Sequence, residues 1–338
     1  MESLCLVSLC FAAVPILGLF VLLLTKGGTW AHLEIQRRKK AHWEDAAAHL
    51  GLDYVNWEEL RGSIDNGKKW GGEITVASCN YGAATNAEIV QLSDGRVLYA
   101  YNVRPSDGVH RFAINTCFSS DNGKTWTKPR QVFAAGKTFE NGCWEPAAIQ
   151  LPSGEIQLFF ANEAPYRKSN EQEITMIRSL DGGATWGKPE RICFRKGRRD
   201  GMPVPLILKN GKGVVLAIED PGARGRFKPA TIITSMKDNW RQGLANGKSP
   251  RRRASLLTPL PPGVYAGAPY ICQLDSGVTI LSVQSTEGRK VPRGAKQTLS
   301  SRMVVYVGNG MAEKFTNRSE PFIVDKGSCG VWNSVFAK

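Results

Sequence analysis

From about residue 82 the chain alternates short apolar runs with polar breaks, and the breaks recur. Four segments carry the same pattern: Glu88–Gly95, Pro146–Gly154, Pro203–Gly211 and Pro269–Gly277. In each, an apolar run ends at a glycine-bearing turn, and a second apolar run follows, such as Arg96–Tyr101 or Glu155–Phe160. The turn glycines are 59, 57 and 66 residues apart. Short apolar runs bounded by Gly, Asp, Asn and Ser predict strands joined by hairpins, and a fixed period of this size predicts a repeat architecture. A fifth unit begins at Val331–Phe336, where the chain stops. That leaves two expectations, a ring with fewer or irregular units or a truncated reading frame.

A second repeat runs out of phase with the first. Ser119–Trp126 and Ser179–Trp186 share the pattern Ser-x-Asp-x-Gly-x-Thr-Trp, 60 residues apart, and Ser235–Trp240 is a worn third copy 56 residues on. Asp and Gly suit a tight turn with a positive φ, the hydroxyls can bond local backbone, and the Trp can pack beneath. The octapeptide resembles the Asp-box, or BNR repeat, of sialidase-superfamily propellers. Together the two repeats predict an all-β fold: a sialidase-like β-propeller of four-stranded antiparallel blades over residues 71–338. The six-bladed form is usual for such propellers, and the chain is short for it.

Ahead of this body, Leu4–Leu24 is a nearly continuous apolar run of 21 residues. As a helix it is long enough to cross a bilayer core of roughly 30 Å, so residues 1–26 are expected to form an N-terminal hydrophobic helix, a signal peptide or a retained anchor. Residues 27–70 are expected to be a charged linker with a short amphipathic helix. Lys26 and the Arg37–Lys40 cluster after the run favour a cytoplasmic body by the positive-inside rule. The sequon Asn317-Arg318-Ser319 and the fold favour export, and a secreted or membrane-anchored propeller outside the cytoplasm is the expectation taken.

Composition narrows the chemistry. With 44 Lys and Arg against 30 Asp and Glu, the net charge is +14. Basic clusters at Arg37–Lys40, Arg195–Arg199 and Arg251–Arg253 read as solvated loops or as attraction to an acidic polymer. No zinc-finger spacing or RNA-binding aromatic signature is present, so no nucleic-acid partner is expected. Eight cysteines at wide spacing permit disulfides without requiring them, and buried thiols in strands are the ordinary reading. Four histidines, three of them before residue 50, give no metal-ligand spacing and no Ser-His-Asp triad. No metal or cofactor is expected, and the protein is expected to be monomeric.

Carboxylates stand out at strand ends. Glu145 opens one repeated strand in Trp144-Glu145-Pro146, Glu219 ends the strand after the next turn, and Glu163 is read as its counterpart one unit earlier. Glu88 and Asp200 precede strands of their own. Trp144-Glu145-Pro146, the stretch Arg199–Val204 and the Glu219 strand end resemble glycoside hydrolase family 93, exo-acting arabinanases on a six-bladed propeller. That resemblance, over roughly residues 80–338, implies two catalytic glutamates matching Glu145 and Glu219 and a retaining mechanism. Glu145 is taken as the nucleophile and Glu219 as the acid/base, with Asp220 as a charged neighbour able to tune Glu219.

Substrate contacts are expected from Glu88, Arg104, Trp144, Glu163, Arg199, Asp200, Tyr265 and Trp332. The expected function is an exo-acting glycoside hydrolase removing a terminal sugar from a glycan or polysaccharide. A true exo-sialidase is the first alternative. Arg104, Arg111 and Arg199 would serve as an arginine clamp, and Tyr265 or Tyr270 would pair with a glutamate. The absence of an early Arg-Ile-Pro segment speaks against it. A non-catalytic glycan- or protein-binding propeller is the second, since a fold does not settle function.

Overall fold

The computed structural model describes residues 71–337 apart from 222–225, 292–299 and 325–327. Before residue 71 it describes only the backbone of residues 4–7, 17–24, 30–37 and 57–63. Among the described residues every regular element is a strand, save one 3-10 turn at Phe139–Asn141. The first strands are β1 (Leu4–Val7), β2 (Leu17–Leu24), β3 (Trp30–Arg37), β4 (Trp57–Ser63) and β5 (Ile74–Ser78). Then come β6 (Gly82–Gln91), β7 (Val97–Pro105), β8 (Ala113–Ser119) and β9 (Arg130–Ala134), followed by β10 (Cys143–Gln150), β11 (Ile156–Asn162), β12 (Glu173–Ser179) and β13 (Glu190–Cys193). After them run β14 (Gly201–Ile207), β15 (Gly213–Asp220), β16 (Lys228–Ser235) and β17 (Arg252–Ala254). The last are β18 (Ala266–Gln273), β19 (Thr279–Ser285), β20 (Arg302–Gly308), β21 (Thr316–Ser319) and β22 (Ser334–Ala337).

Four consecutive strands make each sheet, in the order β6-β7-β8-β9, β10-β11-β12-β13, β14-β15-β16-β17 and β18-β19-β20-β21. This is the four-stranded antiparallel unit the repeats predict. Backbone contacts group the chain into two compact units, one of residues 15–170 and 177–189, the other of 1–14, 171–176 and 190–338.

The described parts of the apolar N-terminal run, β1 and β2, are strands. The rest of that run, where the hydrophobic helix was expected, lies outside the described residues. In the region expected to hold an amphipathic helix, β3 and β4 are strands too, in the order β2-β3-β4-β5. There the backbone bonds are closed between neighbouring strands rather than within one segment. The segment read as the start of a fifth unit, β22, pairs antiparallel with β1. Among the described residues no helix is long and apolar enough to cross a membrane.

The second strand of each described sheet is its most buried. Every residue of β7, β11 and β19 is buried, polar residues such as Asn102, Gln157 and Gln284 included. The outermost strands β9 and β21 are exposed or half-buried and carry polar residues, as unpaired edges require. Tyr99, Tyr101, Val103 and Cys117 form one core cluster, with Trp126 of the first octapeptide packed against it. Ala217, Leu281, Val283 and Phe315 belong to another.

Each predicted hairpin closes the same way. Gly95, Gly154, Gly211 and Gly277 donate their N–H groups to Leu92, Leu151, Leu208 and Leu274, all at 2.9 Å. Their φ values of +88°, +89°, +70° and +86° are why glycine recurs there. The octapeptides are turns stitched by side chains. Asp121 accepts from Thr125 N–H at 2.8 Å, Thr125 Oγ1 at 2.6 Å and Ser119 Oγ at 2.7 Å. Asp181 repeats the set with Thr185 and Ser179. These donors hold both carboxyls down at about 2. The worn copy is also a turn, with Asp238 N–H donating to Ser235 Oγ at 3.0 Å and Trp240 4% exposed beneath.

The six cysteines from Cys79 on are free thiols. Burial pushes Cys117 and Cys272 up to about 12, so they are inert packing groups.

Candidate active site

One irregularity recurs in the first strand of all four sheets. The register slips between Thr85 and Glu88, Trp144 and Ala147, Gly201 and Val204, and Gly267 and Tyr270. In each case two residues face one on the partner strand, a β-bulge. The first bulge residue takes a left-handed backbone: Asn86 (φ 56°), Glu145 (φ 50°), Met202 (φ 46°) and Ala268 (φ 45°). Each stands nine residues before its turn glycine. A non-glycine residue there costs about 1–3 kcal/mol, a strain that gathers at functional positions. Proline follows in three of the four, Pro146, Pro203 and Pro269, because a bulge residue owes the ladder no N–H. That proline was the signal from which the bulges could have been found. Glu145 is thus the half-buried bulge residue of β10.

Opposite the residue preceding each bulge stand Asn102, Ala161, Glu219 and Gln284. Glu219 therefore has Ala161 as its counterpart in β11, and the expected equivalence with Glu163 is two residues out of register. Glu163 lies beyond the strand end, because β11 closes at Asn162. The polar members of this row reach to the main chain at the start of the following repeat. Asn102 Nδ2 donates to Cys143 O at 2.7 Å, Glu219 Oε1 accepts from Ala268 N–H at 2.5 Å, and Gln284 Oε1 accepts from Trp332 N–H at 2.8 Å.

Around Glu219 the wall is cut back to backbone. A β-carbon on Gly267 would stand 2.4 Å from Glu219 Oε1 and 2.4 Å from the Tyr265 hydroxyl, and one on Gly201 would stand 2.6 Å from Gln172 Nε2 and 3.8 Å from Glu219 Oε2. Carboxylate and phenol thus lie side by side over one glycine. Gln284 Nε2 donates to the Tyr265 oxygen at 2.5 Å. Since Gln284 Oε1 is taken by Trp332, the amide has one orientation, and the phenol proton of Tyr265 must point away from it. Arg199 Nη2 donates to Gln172 Oε1 at 3.1 Å. Glu219 thus lies beside Tyr265 at Gly267 and beside Gln172 at Gly201, with Gln284 bonded to Tyr265 and to the backbone of Trp332, and Arg199 bonded to Gln172. Tyr270, the other candidate tyrosine, packs among core residues.

Behind it the charges cancel. Asp200, expected to touch substrate, is 0% exposed. It accepts from Arg195 at 2.9 Å and from Arg252 at 2.7 and 2.9 Å. Asp220 accepts from Arg195 at 2.5 Å and Arg252 at 2.8 Å. The tuning charge expected at Asp220 is therefore held between two guanidinium groups.

In the other unit, Arg104, Trp144 and Glu163 meet in one network. Trp144 Nε1 donates to Glu163 Oε1 at 2.6 Å. The Arg104 guanidinium lies 4.8 Å from the Trp144 ring centroid and donates to Asn86 and Asn102 at 2.5 and 2.7 Å. Phe112 and Phe139 complete the enclosure of Trp144 at 5.1 and 4.6 Å, leaving it 5% exposed. All three side chains are buried. Glu88 is half-buried on β6 beyond the bulge, opposite Ala100. Arg111 donates to Ala135 O at 2.6 Å. Trp332 is half-buried with φ 49°. Among the described residues no group of His, Cys, Asp and Glu has the arrangement of a metal site.

No protein-family model matches this sequence, and no curated protein matches it. Solved structures do. A protein of unknown function from Dyadobacter fermentans superposes with a TM-score of 0.64 at 15% identity, over 95% of this chain and 86% of that one. An α-L-arabinofuranosidase from Fusarium graminearum, in complex with an iminosugar inhibitor, gives 0.60 at 18% identity, over 79% and 76%. An α-L-arabinanase from Penicillium chrysogenum, complexed with arabinobiose, gives 0.58 at 16% identity, over 93% and 98%. At these identities the likeness is one of fold: the chain is built on the all-β fold of these arabinofuranosidase and arabinanase structures.

Proposed function

We propose that the chain is an exo-acting glycoside hydrolase removing a terminal sugar from a glycan or polysaccharide, with Glu219 and Glu145 as its catalytic carboxylates. The observation that carries this is the setting of Glu219. It is 8% exposed, fixed through Oε1 by Ala268 N–H, and walled by two glycines and a tyrosine hydroxyl. Gln284 holds the equivalent place and accepts the equivalent bond with an amide, so charge is what position 219 adds.

Glu219 is assigned to proton transfer: it protonates the leaving oxygen and then takes a proton from water. Tyr265, its proton directed away from Gln284, serves as a donor to a sugar oxygen. Glu145, on a strained bulge, is the proposed nucleophile. The arabinoside-binding neighbours support an arabinoside as the first substrate to try.

A sialidase reading is favoured by one observation, the Tyr265 hydroxyl and Glu219 carboxylate over the same glycine, the pairing a tyrosine nucleophile requires. Against it, Arg104 is committed to Asn86, Asn102 and Trp144.

Hydrolysis of a panel of aryl glycosides, α-L-arabinofuranoside and sialoside included, tests the proposal. Release by the wild type and its loss in both Glu145→Gln and Glu219→Gln is expected. Equal release by either variant overturns the assignment of that residue, and no release from any substrate by folded wild type overturns the hydrolase reading.

A further inference from the structure

Two segments of one unit, 195–199 and 241–253, contain nine arginines and lysines and no carboxylate. The fold lays them side by side. Cys193 and Ala245 form a parallel bridge, and Ala245 N–H donates to Ile192 O at 2.9 Å. A β-carbon on Gly247 would stand 3.3 Å from Arg195 Cδ. Lys196 and Lys248 are therefore the chain neighbours of two residues in contact.

Three of the nine cations are neutralised within the fold. Arg195 and Arg252 share Asp200 and Asp220, and Arg253 pairs with Glu313. The two carboxylates shared by Arg195 and Arg252 clamp the two segments together. Lys196, Arg241 and Lys248 are exposed and make no ion pair among the described residues. The half-buried Arg198, Arg199 and Arg251 belong to the same two segments.

What the surface lacks identifies its partner. Neither segment contains an aromatic residue. Leu244 is half-buried, Ala245 buried, and the nearby Trp240 is 4% exposed. Single-stranded nucleic acid needs aromatic platforms for its bases, and a membrane surface needs apolar side chains to insert. A hydrophilic polymer with regularly spaced carboxylates needs neither. We infer that the 195–199 and 241–253 loops form a docking surface for an anionic, uronate-bearing polysaccharide. The charge concentrates the polymer at the protein by long-range attraction that salt weakens.

The test uses the full chain carrying Glu219→Gln, so that no hydrolysis is involved and the outcome is independent of the hydrolase reading. The probes are polygalacturonate, a neutral arabinan and duplex DNA, in affinity electrophoresis across a salt series. Expected is retardation by polygalacturonate that fades with salt, none by arabinan, and weaker retardation by DNA. Adding Lys196→Glu, Arg241→Glu and Lys248→Glu should weaken polygalacturonate binding about tenfold or more. An unchanged melting temperature would show that these exposed residues leave the fold intact. Equal retardation by DNA at matched salt, equal retardation by arabinan, or undiminished binding by the folded triple variant would each overturn the proposal.

Discussion

The Ala268 main-chain N–H donates to Glu219 Oε1 at 2.5 Å, and in the next repeat Trp332 N–H donates to Gln284 Oε1 at 2.8 Å. Both donors have a left-handed backbone, and the acceptors stand opposite Gly201 and Gly267, the glycines that precede two of the bulges. One position in the row thus holds an amide at 284 and a carboxyl at 219, each accepting from the main chain of the following repeat.

That equivalence makes Glu219→Gln a clean substitution. Its melting temperature should stay near wild type while hydrolysis falls about 10²–10⁴-fold. Glu219→Ala should lose both, since the buried Ala268 N–H is left without its acceptor, at about 1–3 kcal/mol in urea denaturation.

Gly267→Ala should abolish hydrolysis without unfolding the chain. The added carbon would occupy the space of the Glu219 carboxylate and the Tyr265 hydroxyl. Comparing kcat with the far-ultraviolet circular dichroism spectrum checks this; a fully active variant would contradict the geometry.

Gln284→Glu should reverse a hydrogen bond. A carboxylate still accepts from Trp332 N–H but can only accept from Tyr265, so the phenol proton turns toward residue 284. We expect kcat/KM to fall while stability changes little. Gln284→Leu instead removes both of these hydrogen bonds, and should lower stability by about 1–3 kcal/mol as well.

Arg252→Met should be the most damaging of these changes. It removes a guanidinium that makes two bonds to fully buried Asp200 and one to Asp220. Breaking one side of a buried pair costs about 3–5 kcal/mol, readable as a lower urea midpoint. Adding Asp200→Asn should recover part of it.

Acid should weaken the octapeptide turns. Asp121 and Asp181 sit at about 2 in the folded chain, below the ordinary value of about 3.9. A depressed folded pKa gives stability that is present above the unfolded value and lost as pH falls through the folded one. The melting temperature should therefore drop between about pH 4 and pH 2, and less steeply in the Asp121→Asn, Asp181→Asn double variant.

Much of the blade pattern was legible because it is local. A glycine at positive φ, an Asp that can bond three nearby donors and a run of apolar residues each announce themselves within ten residues. A further side-chain-held turn has no octapeptide to mark it: Asn309 Oδ1 accepts from the Met311 and Glu313 N–H groups at 2.9 and 3.1 Å. The bulges escaped notice, since Asn86, Glu145, Met202 and Ala268 share no side-chain property. Their backbone is imposed by register with the neighbouring strand. Glu163 was matched to Glu219 as a strand end, but β11 closes at Asn162 and strand pairing puts Ala161 in that row.

The sequence by itself determined the strands, their hairpins, the period of the repeat and the short list of carboxylates. Tertiary structure decided which of those carboxylates are spent on the fold. Asp200 is neutralised by Arg252, 52 residues away, and Glu219 is anchored by Ala268, 49 residues away. A charge is retired or kept for chemistry by the partners it meets, and strand pairing brings those partners from parts of the chain that no local pattern connects.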